Sequence, residues 1–223
     1  MTKREELAKE YLAKGHWAGV TVPQALDLAV EAYPEHTALV CGSERVTYSE
    51  MRRRADSLAA SFLERGISKG DIVTVQMPNW LEYIYVHYAL ARIGAITLPA
   101  IPLYRRREMS HILESYRSVG YVLPSHFGGF DYLKMLEEMR PSLPALRHIF
   151  VAGEPVPPGA SSIRAMLSER PSPGRVPDGL THHTDVACLV VTGGTTGYPK
   201  GVPRTHNELL CHARNWARVM ETT

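Results

Sequence analysis

Cysteine is scarce. Cys41, Cys188 and Cys211 are odd in number and far apart, so they suit neither a disulfide frame nor a zinc-ligand spacing. Charge of one sign is also lacking. Twenty-five Lys and Arg face 23 Asp and Glu, and a net charge of +2 argues against a nucleic-acid or membrane-surface partner. The longest apolar run is VACLVV, Val186–Val191, far short of the ~20 residues a bilayer-spanning helix needs. The opening MTKREELAKEYLAKGHW is charged and has no apolar core of signal-peptide length. These absences point to the cytoplasm. Internal repeats and low-complexity tracts are missing too. What remains is ordinary globular material, 44% apolar and 22% charged, long enough at 223 residues for one large domain or two small ones.

Strand and helix patterns alternate along the body. TALVC (Thr37–Cys41) and RVTY (Arg45–Tyr48), split by GSE, read as a hairpin. Ser49 is the expected cap of a helix that buries Met51, Ala55, Leu58, Ala59, Phe62 and Leu63, with Gly66 placed to end it. DIVTVQM is a strand. Asn79 is the expected cap of WLEYIYVHYALARI, a helix stopped by Gly94. AITLPAI, GYVLP and RHIFVA follow as strands, with RREMSHILESY and DYLKMLEEMR as helices between them. Such alternation predicts an α/β fold, a mainly parallel sheet covered by helices with right-handed crossovers. GEPVPPGASS and RPSPGRVPDG read as surface loops around the short helix IRAMLSE. The second marks a division into residues 1–180 and 181–223. The latter part holds a strand, DVACLVV, an unusual loop, and a helix, HNELLCHARNWARVM. The loop is thus expected to run from a strand's C-terminal end toward a helix start, where ligands collect in open α/β sheets.

That loop, VTGGTTGYPKGVPRTH, concentrates glycines, threonines and one lysine. Consecutive glycines let successive N–H groups point into one hollow that attracts anions. Thr192, Thr195 and Thr196 add hydroxyl donors, and Lys200 adds a mobile positive charge suited to phosphate. A Walker loop is excluded: Pro199 precedes Lys200 and Gly201 follows it, so neither the glycine nor the magnesium-binding hydroxyl is in place. No G-x-G-x-x-G follows a strand, and Ser49 and Ser125 lack the G-x-S-x-G setting of a hydrolase. An empty Gly/Thr surface loop is the alternative.

TGGTTGYPKG resembles the phosphate loop of the adenylate-forming superfamily, which includes acyl- and aryl-CoA synthetases, luciferases and peptide-synthetase adenylation domains. Gly193 stands where that family usually has serine. The Gly-Gly form followed by PRTHN (Pro203–Asn207) is similar to the aryl-acid branch, including dihydroxybenzoate–AMP ligases. The stretch from ALVCGSERVTY to VQMPN and the FGGFDY of Phe127–Tyr132 agree. The resemblance implies that Thr192, Gly193, Gly194, Thr195, Thr196, Gly197 and Lys200 bind the ATP triphosphate. It implies a carboxylic acid and ATP as substrates, Mg2+ as companion ion, and coenzyme A or a carrier-protein thiol as acceptor. It also implies that the chain is the N-terminal portion of such a ligase. The family's aromatic-Gly-x-Thr-Glu and Thr-Gly-Asp motifs and its C-terminal lysine are not found here. On that reading the chain has little activity alone and self-associates to cover exposed surface. A non-catalytic phosphate-binding or assembly module is the alternative.

Other candidates read more plainly. His182 and His183 have only Asp185 as a third metal donor at usable spacing, and suit a solvated loop. YRRRE (Tyr104–Glu108) suits the solvent face of a helix start better than a seat for coenzyme A phosphates. His206 is expected to cap or support the last helix rather than act as a base. Tyr83, Tyr85 and Tyr88 share helical spacing and suit core packing.

Overall fold

The computed structural model describes residues 3–169, 176–192 and 200–220. In chain order the elements are α1 (Lys3–Ala13), α2 (Val22–Ala32), β1 (Thr37–Cys41), β2 (Glu44–Thr47), α3 (Tyr48–Glu64), β3 (Ile72–Gln76), α4 (Leu81–Ile93) and β4 (Ile96–Ala100). Then come α5 (Arg106–Ser115), β5 (Gly120–Pro124), β6 (His126–Phe127), β7 (Phe130–Asp131), α6 (Tyr132–Met139), a 3-10 turn (Arg140–Ser142) and β8 (His148–Ala152). The last are β9 (Ser161–Ser162), α7 (Ile163–Ser168), β10 (Val186–Thr192), β11 (Lys200–Thr205) and α8 (His206–Val219).

A seven-stranded sheet runs in the order β11-β10-β4-β3-β5-β8-β9. Every neighbouring pair is parallel except β10 and β11. The expected α/β architecture is therefore present. Alternation of side chains along each strand divides the apolar residues between the two faces. Val73, Val75, Val122, Phe150 and Ala152 pack with α2, α3, α4 and α7 in one core. Leu98, Ala100, Tyr121, Leu123, Ile149 and Val151 pack with α5 and α6 in the other. β10 and β11 lie beyond residue 180 yet join the same sheet as the earlier strands.

Two expected caps are displaced. Thr47, not Ser49, caps α3, its hydroxyl accepting the Glu50 N–H at 3.2 Å. The hairpin β1–β2 delivers the chain to the helix two residues earlier than the apolar pattern suggests. Trp80, not Asn79, holds the N-cap position of α4 and makes no side-chain cap bond. Gly66 and Gly94 do end their helices. Gly94 is the left-handed C-cap of α4, with φ 76.

The larger correction concerns the glycine-rich loop. It does not lead directly into a helix. β11 pairs antiparallel with β10 from Val186↔Thr205 to Thr192↔Lys200, so the loop joins the two strands of a hairpin. An edge strand tolerates Pro203, whose missing N–H also blunts the edge against pairing with another chain.

Candidate functional site

The expected phosphate-binding residues divide in two. Gly193, Gly194, Thr195, Thr196 and Gly197 lie outside the described residues. Thr192 and Lys200 are described, and the hairpin brings them together as register partners at the neck of the loop. The Thr192 hydroxyl donates to the Lys200 carbonyl at 3.2 Å, which ties the neck shut across the two strands. Lys200 itself is exposed. The hairpin therefore places a cation next to the glycine-rich stretch of the sequence, at one edge of the sheet.

Three contacts set where this neck stands. On β10, Leu189 and Val191 pack against the core shared with α5 and α6. On β11, the Gly201 N–H donates to the Tyr116 hydroxyl. Gly201 permits this approach because it has no side chain: a Cβ there would lie 2.9 Å from the Tyr116 ring carbon Cζ and its oxygen. At the foot of the hairpin, Thr205, His206 and Asn207 are 4%, 1% and 1% exposed.

These last residues anchor both the loop's exit and the start of α8. Thr205 is the N-cap, in a reciprocal capping box with Glu208. His206 Nδ1 accepts the Val22 N–H at 3.2 Å, and Asn207 Oδ1 accepts the Gly19 N–H at 3.2 Å. The Asn207 N–H donates to the His183 carbonyl at 3.1 Å, and the His206 N–H to the Asp185 carbonyl at 3.2 Å. Asp185 pairs with Lys69 at 2.7 Å. An imidazole nitrogen that accepts a hydrogen bond carries no proton. Consistent with that, burial holds the His206 pKa down to about 4. His206 is a structural support, as its place beside the helix start suggested, and the same holds for its partner Asn207. Neither the buried bonds to residues 19–22 nor the Tyr116 contact has a signal in the sequence, since they join positions 85 to 188 residues apart.

The remaining candidates fall into place around this frame. His182 and His183 stack on each other, ring centroids 3.9 Å apart, and His182 bonds Thr184. Among the described residues no three His, Cys, Asp or Glu converge on a possible metal position. Arg105 does not face solvent freely: its guanidinium lies 3.9 Å over the Phe130 ring and donates to the Pro102 carbonyl at 2.6 Å. Tyr85 is core, its hydroxyl taking a 2.7 Å bond from Arg54, and Tyr83 and Tyr88 pack beside it. Ser125 donates to the Glu154 carbonyl at 2.6 Å and has no base beside it in that bond. The three cysteines are all free, and burial pushes the Cys188 thiol up to about 11. No helix among the described residues is long and apolar enough to cross a membrane.

Comparison with known proteins agrees with this frame. The chain is 35% identical over 206 residues to a 2,3-dihydroxybenzoate-AMP ligase of Bacillus subtilis (strain 168), covering 92% of this chain and 37% of that protein. It is 36% identical over 221 residues to a 2-hydroxy-7-methoxy-5-methyl-1-naphthoate–CoA ligase of Streptomyces carzinostaticus, covering 96% of this chain and 40% of the relative. Among solved structures, the apo structure of Mycobacterium smegmatis MbtA superposes with a TM-score of 0.88 at 32% identity, over 98% of this chain and 40% of that one. The chain thus spans about two fifths of the length of these relatives. A family profile described as "AMP-binding enzyme" matches residues 26–223. With its parallel sheet and glycine-rich hairpin, the chain belongs to the AMP-binding enzyme family.

Proposed function

We propose that this chain supplies the triphosphate-binding hairpin of an ATP-dependent carboxylic acid ligase whose acid is aromatic or cyclic. The observation that carries the reading is the pairing of Thr192 with Lys200 across the neck of the loop, with the lysine exposed at its exit. The relatives' names support the acid class, since both the dihydroxybenzoate and the naphthoate are aryl acids. One relative is named an AMP ligase and the other a CoA ligase, so a thiol acceptor is the finer part of the proposal.

In this reading the acid's carboxylate oxygen attacks the α-phosphorus of ATP, an acyl-adenylate forms, and pyrophosphate departs. Negative charge grows on the departing group. Lys200, the hydroxyls of Thr195 and Thr196, and the backbone N–H groups of Gly193, Gly194 and Gly197 offset it. The Thr192 proton is used at the neck, so Thr192 shapes the loop and turns to phosphate only by giving up that bond. The described residues offer no carboxylate cluster for magnesium. An ion arriving with ATP would supply further charge neutralisation. The adenylate's base and sugar, and the acid itself, are left to other parts of a complete ligase. A second reading, in which the chain holds polyphosphate without turning it over, needs only the hairpin neck with its exposed Lys200.

Thermal unfolding with ATP or pyrophosphate tests both readings, because a ligand that binds only the folded state raises Tm. We expect a rise with each, and Lys200→Ala to weaken pyrophosphate binding by about 10- to 100-fold, the loss of one charge-assisted bond. No shift in the intact chain would refute the reading. Acid-dependent exchange of labelled pyrophosphate into ATP separates ligase from holder, because only adenylate formation returns label to ATP.

A further inference from the structure

The hairpin that presents Lys200 joins the parallel sheet through β10. β10 meets the parallel sheet through one register pair, Cys188↔Thr97, and then continues with β11 as far as Thr192↔Lys200. Beyond Cys188, Leu189 and Val191 hold the hairpin against the core by apolar packing. Apolar contact is not directional. A directional contact that reaches the outer strand from the helical layer is the hydrogen bond from the Gly201 N–H to Tyr116 Oη. Gly201 is the residue next to Lys200. Among the described residues no strand pairs with the outer side of β11, and this amide is given to the Tyr116 hydroxyl instead.

Tyr116 is set on firm ground. It is the C-cap of α5, with its N–H bonded to the Ile112 carbonyl at 3.1 Å. Arg117 follows in the left-handed region at φ 48, and the next two amides close back on the helix, Arg117 to Glu114 at 3.0 Å and Ser118 to Leu113 at 3.0 Å. The Ser118 hydroxyl then shares a buried 2.7 Å bond with Thr74 in the central strand β3. The phenol is therefore a short arm projecting from the core, and a glycine at 201 lets the backbone meet it without displacing the ring.

We propose that Tyr116 is a positioning residue for the phosphate loop: by accepting the Gly201 amide it fixes the backbone beside Lys200, and with it the reach of the ammonium toward a polyphosphate. This rests on the function proposed above. Tyr116 touches no substrate in this role, and its effect passes wholly through the backbone of β11. A tyrosine serving only as apolar packing would be replaced by phenylalanine without consequence.

Tyr116→Phe keeps the ring and removes the acceptor. On the intact 223-residue chain, two measurements are made on wild type and variant: hydrogen exchange of the Gly201 amide by NMR, and pyrophosphate affinity by calorimetry. We expect Gly201 exchange to accelerate at least about tenfold, and affinity to weaken about 3- to 10-fold, as for one lost neutral hydrogen bond. Gly201→Ala, which crowds the hydroxyl while leaving it present, should weaken affinity in the same direction. Unchanged Gly201 exchange in Tyr116→Phe, or unchanged affinity where wild type binds, overturns the proposal. A wild type that binds neither pyrophosphate nor ATP overturns the functional reading as well, and the exchange result still reports whether the bond exists.

Discussion

Acid should unseat the foot of the hairpin before it unfolds the rest of the protein by other routes. His206 is held neutral by burial and by the Val22 N–H that its Nδ1 accepts. The Asp185 carboxylate nearby favours the charged ring, while His87, Lys69 and His183 oppose it. Burial holds the folded ring down to about 4, below the 6.5 of a free imidazole, so the unfolded chain binds the proton more readily. The stabilisation is complete above about pH 6.5, falls away progressively as pH drops from there, and is gone below about pH 4. At pH 5 the unfolded imidazole is almost fully charged and the folded one almost fully neutral, a loss of about 2 kcal/mol, rising toward roughly 3.4 kcal/mol below pH 4. For a domain of this size that is a Tm decrease of about 4–8 °C between pH 7 and pH 5. His87, lowered to about 4 by burial and bonded to Thr97 at 3.0 Å, adds a similar slope. Comparison with His206→Asn isolates His206, because the asparagine oxygen can accept from Val22 and does not titrate. Urea unfolding at the two pH values should show wild type losing about 2 kcal/mol more than the variant. Equal losses in the two proteins would refute the assignment.

Other outcomes follow from single contacts. Gly94→Ala places a side chain at φ 76 and a Cβ 2.9 Å from Lys69 Cγ, disturbing the lysine that pairs with Asp185. Urea unfolding should show a loss of about 1–3 kcal/mol. In thiol labelling of the native protein, exposed Cys41 should react first, and buried Cys188, its pKa pushed up to about 11, should stay unlabelled until the sheet opens. Early labelling of Cys188, read by peptide mass spectrometry, would contradict its burial against β4.

Much of the sheet was legible because its strands are local and apolar. GYVLP is β5 at both boundaries, and TALVC is β1. The strand that mattered most for the site was not legible. KGVPRT contains Gly and Pro, poor strand formers in isolation, and becomes β11 only because β10 offers it a partner. That is why the loop reads in sequence as running toward a helix. The caps failed for a related reason: Ser49 and Asn79 are good capping residues, but the chain's entry angle, set by the preceding strand or turn, gave the position to Thr47 and Trp80. Lys200 and Thr192 stand out as candidates from motif chemistry, while their pairing across β10 and β11 does not. Tyr116 was not, because a tyrosine at a helix end carries no mark of a glycine 85 residues later.

The bonds from Gly19 and Val22 to Asn207 and His206 bridge 188 and 184 residues, and Arg214 reaches the Gly15 and His16 carbonyls nearby. An amino-terminal arm that could pass for a dispensable extension is thus the floor beneath a turn nearly two hundred positions downstream. Trimming it would strip an imidazole and a carboxamide of their partners at the start of α8, and the damage would surface near the lysine rather than at the cut.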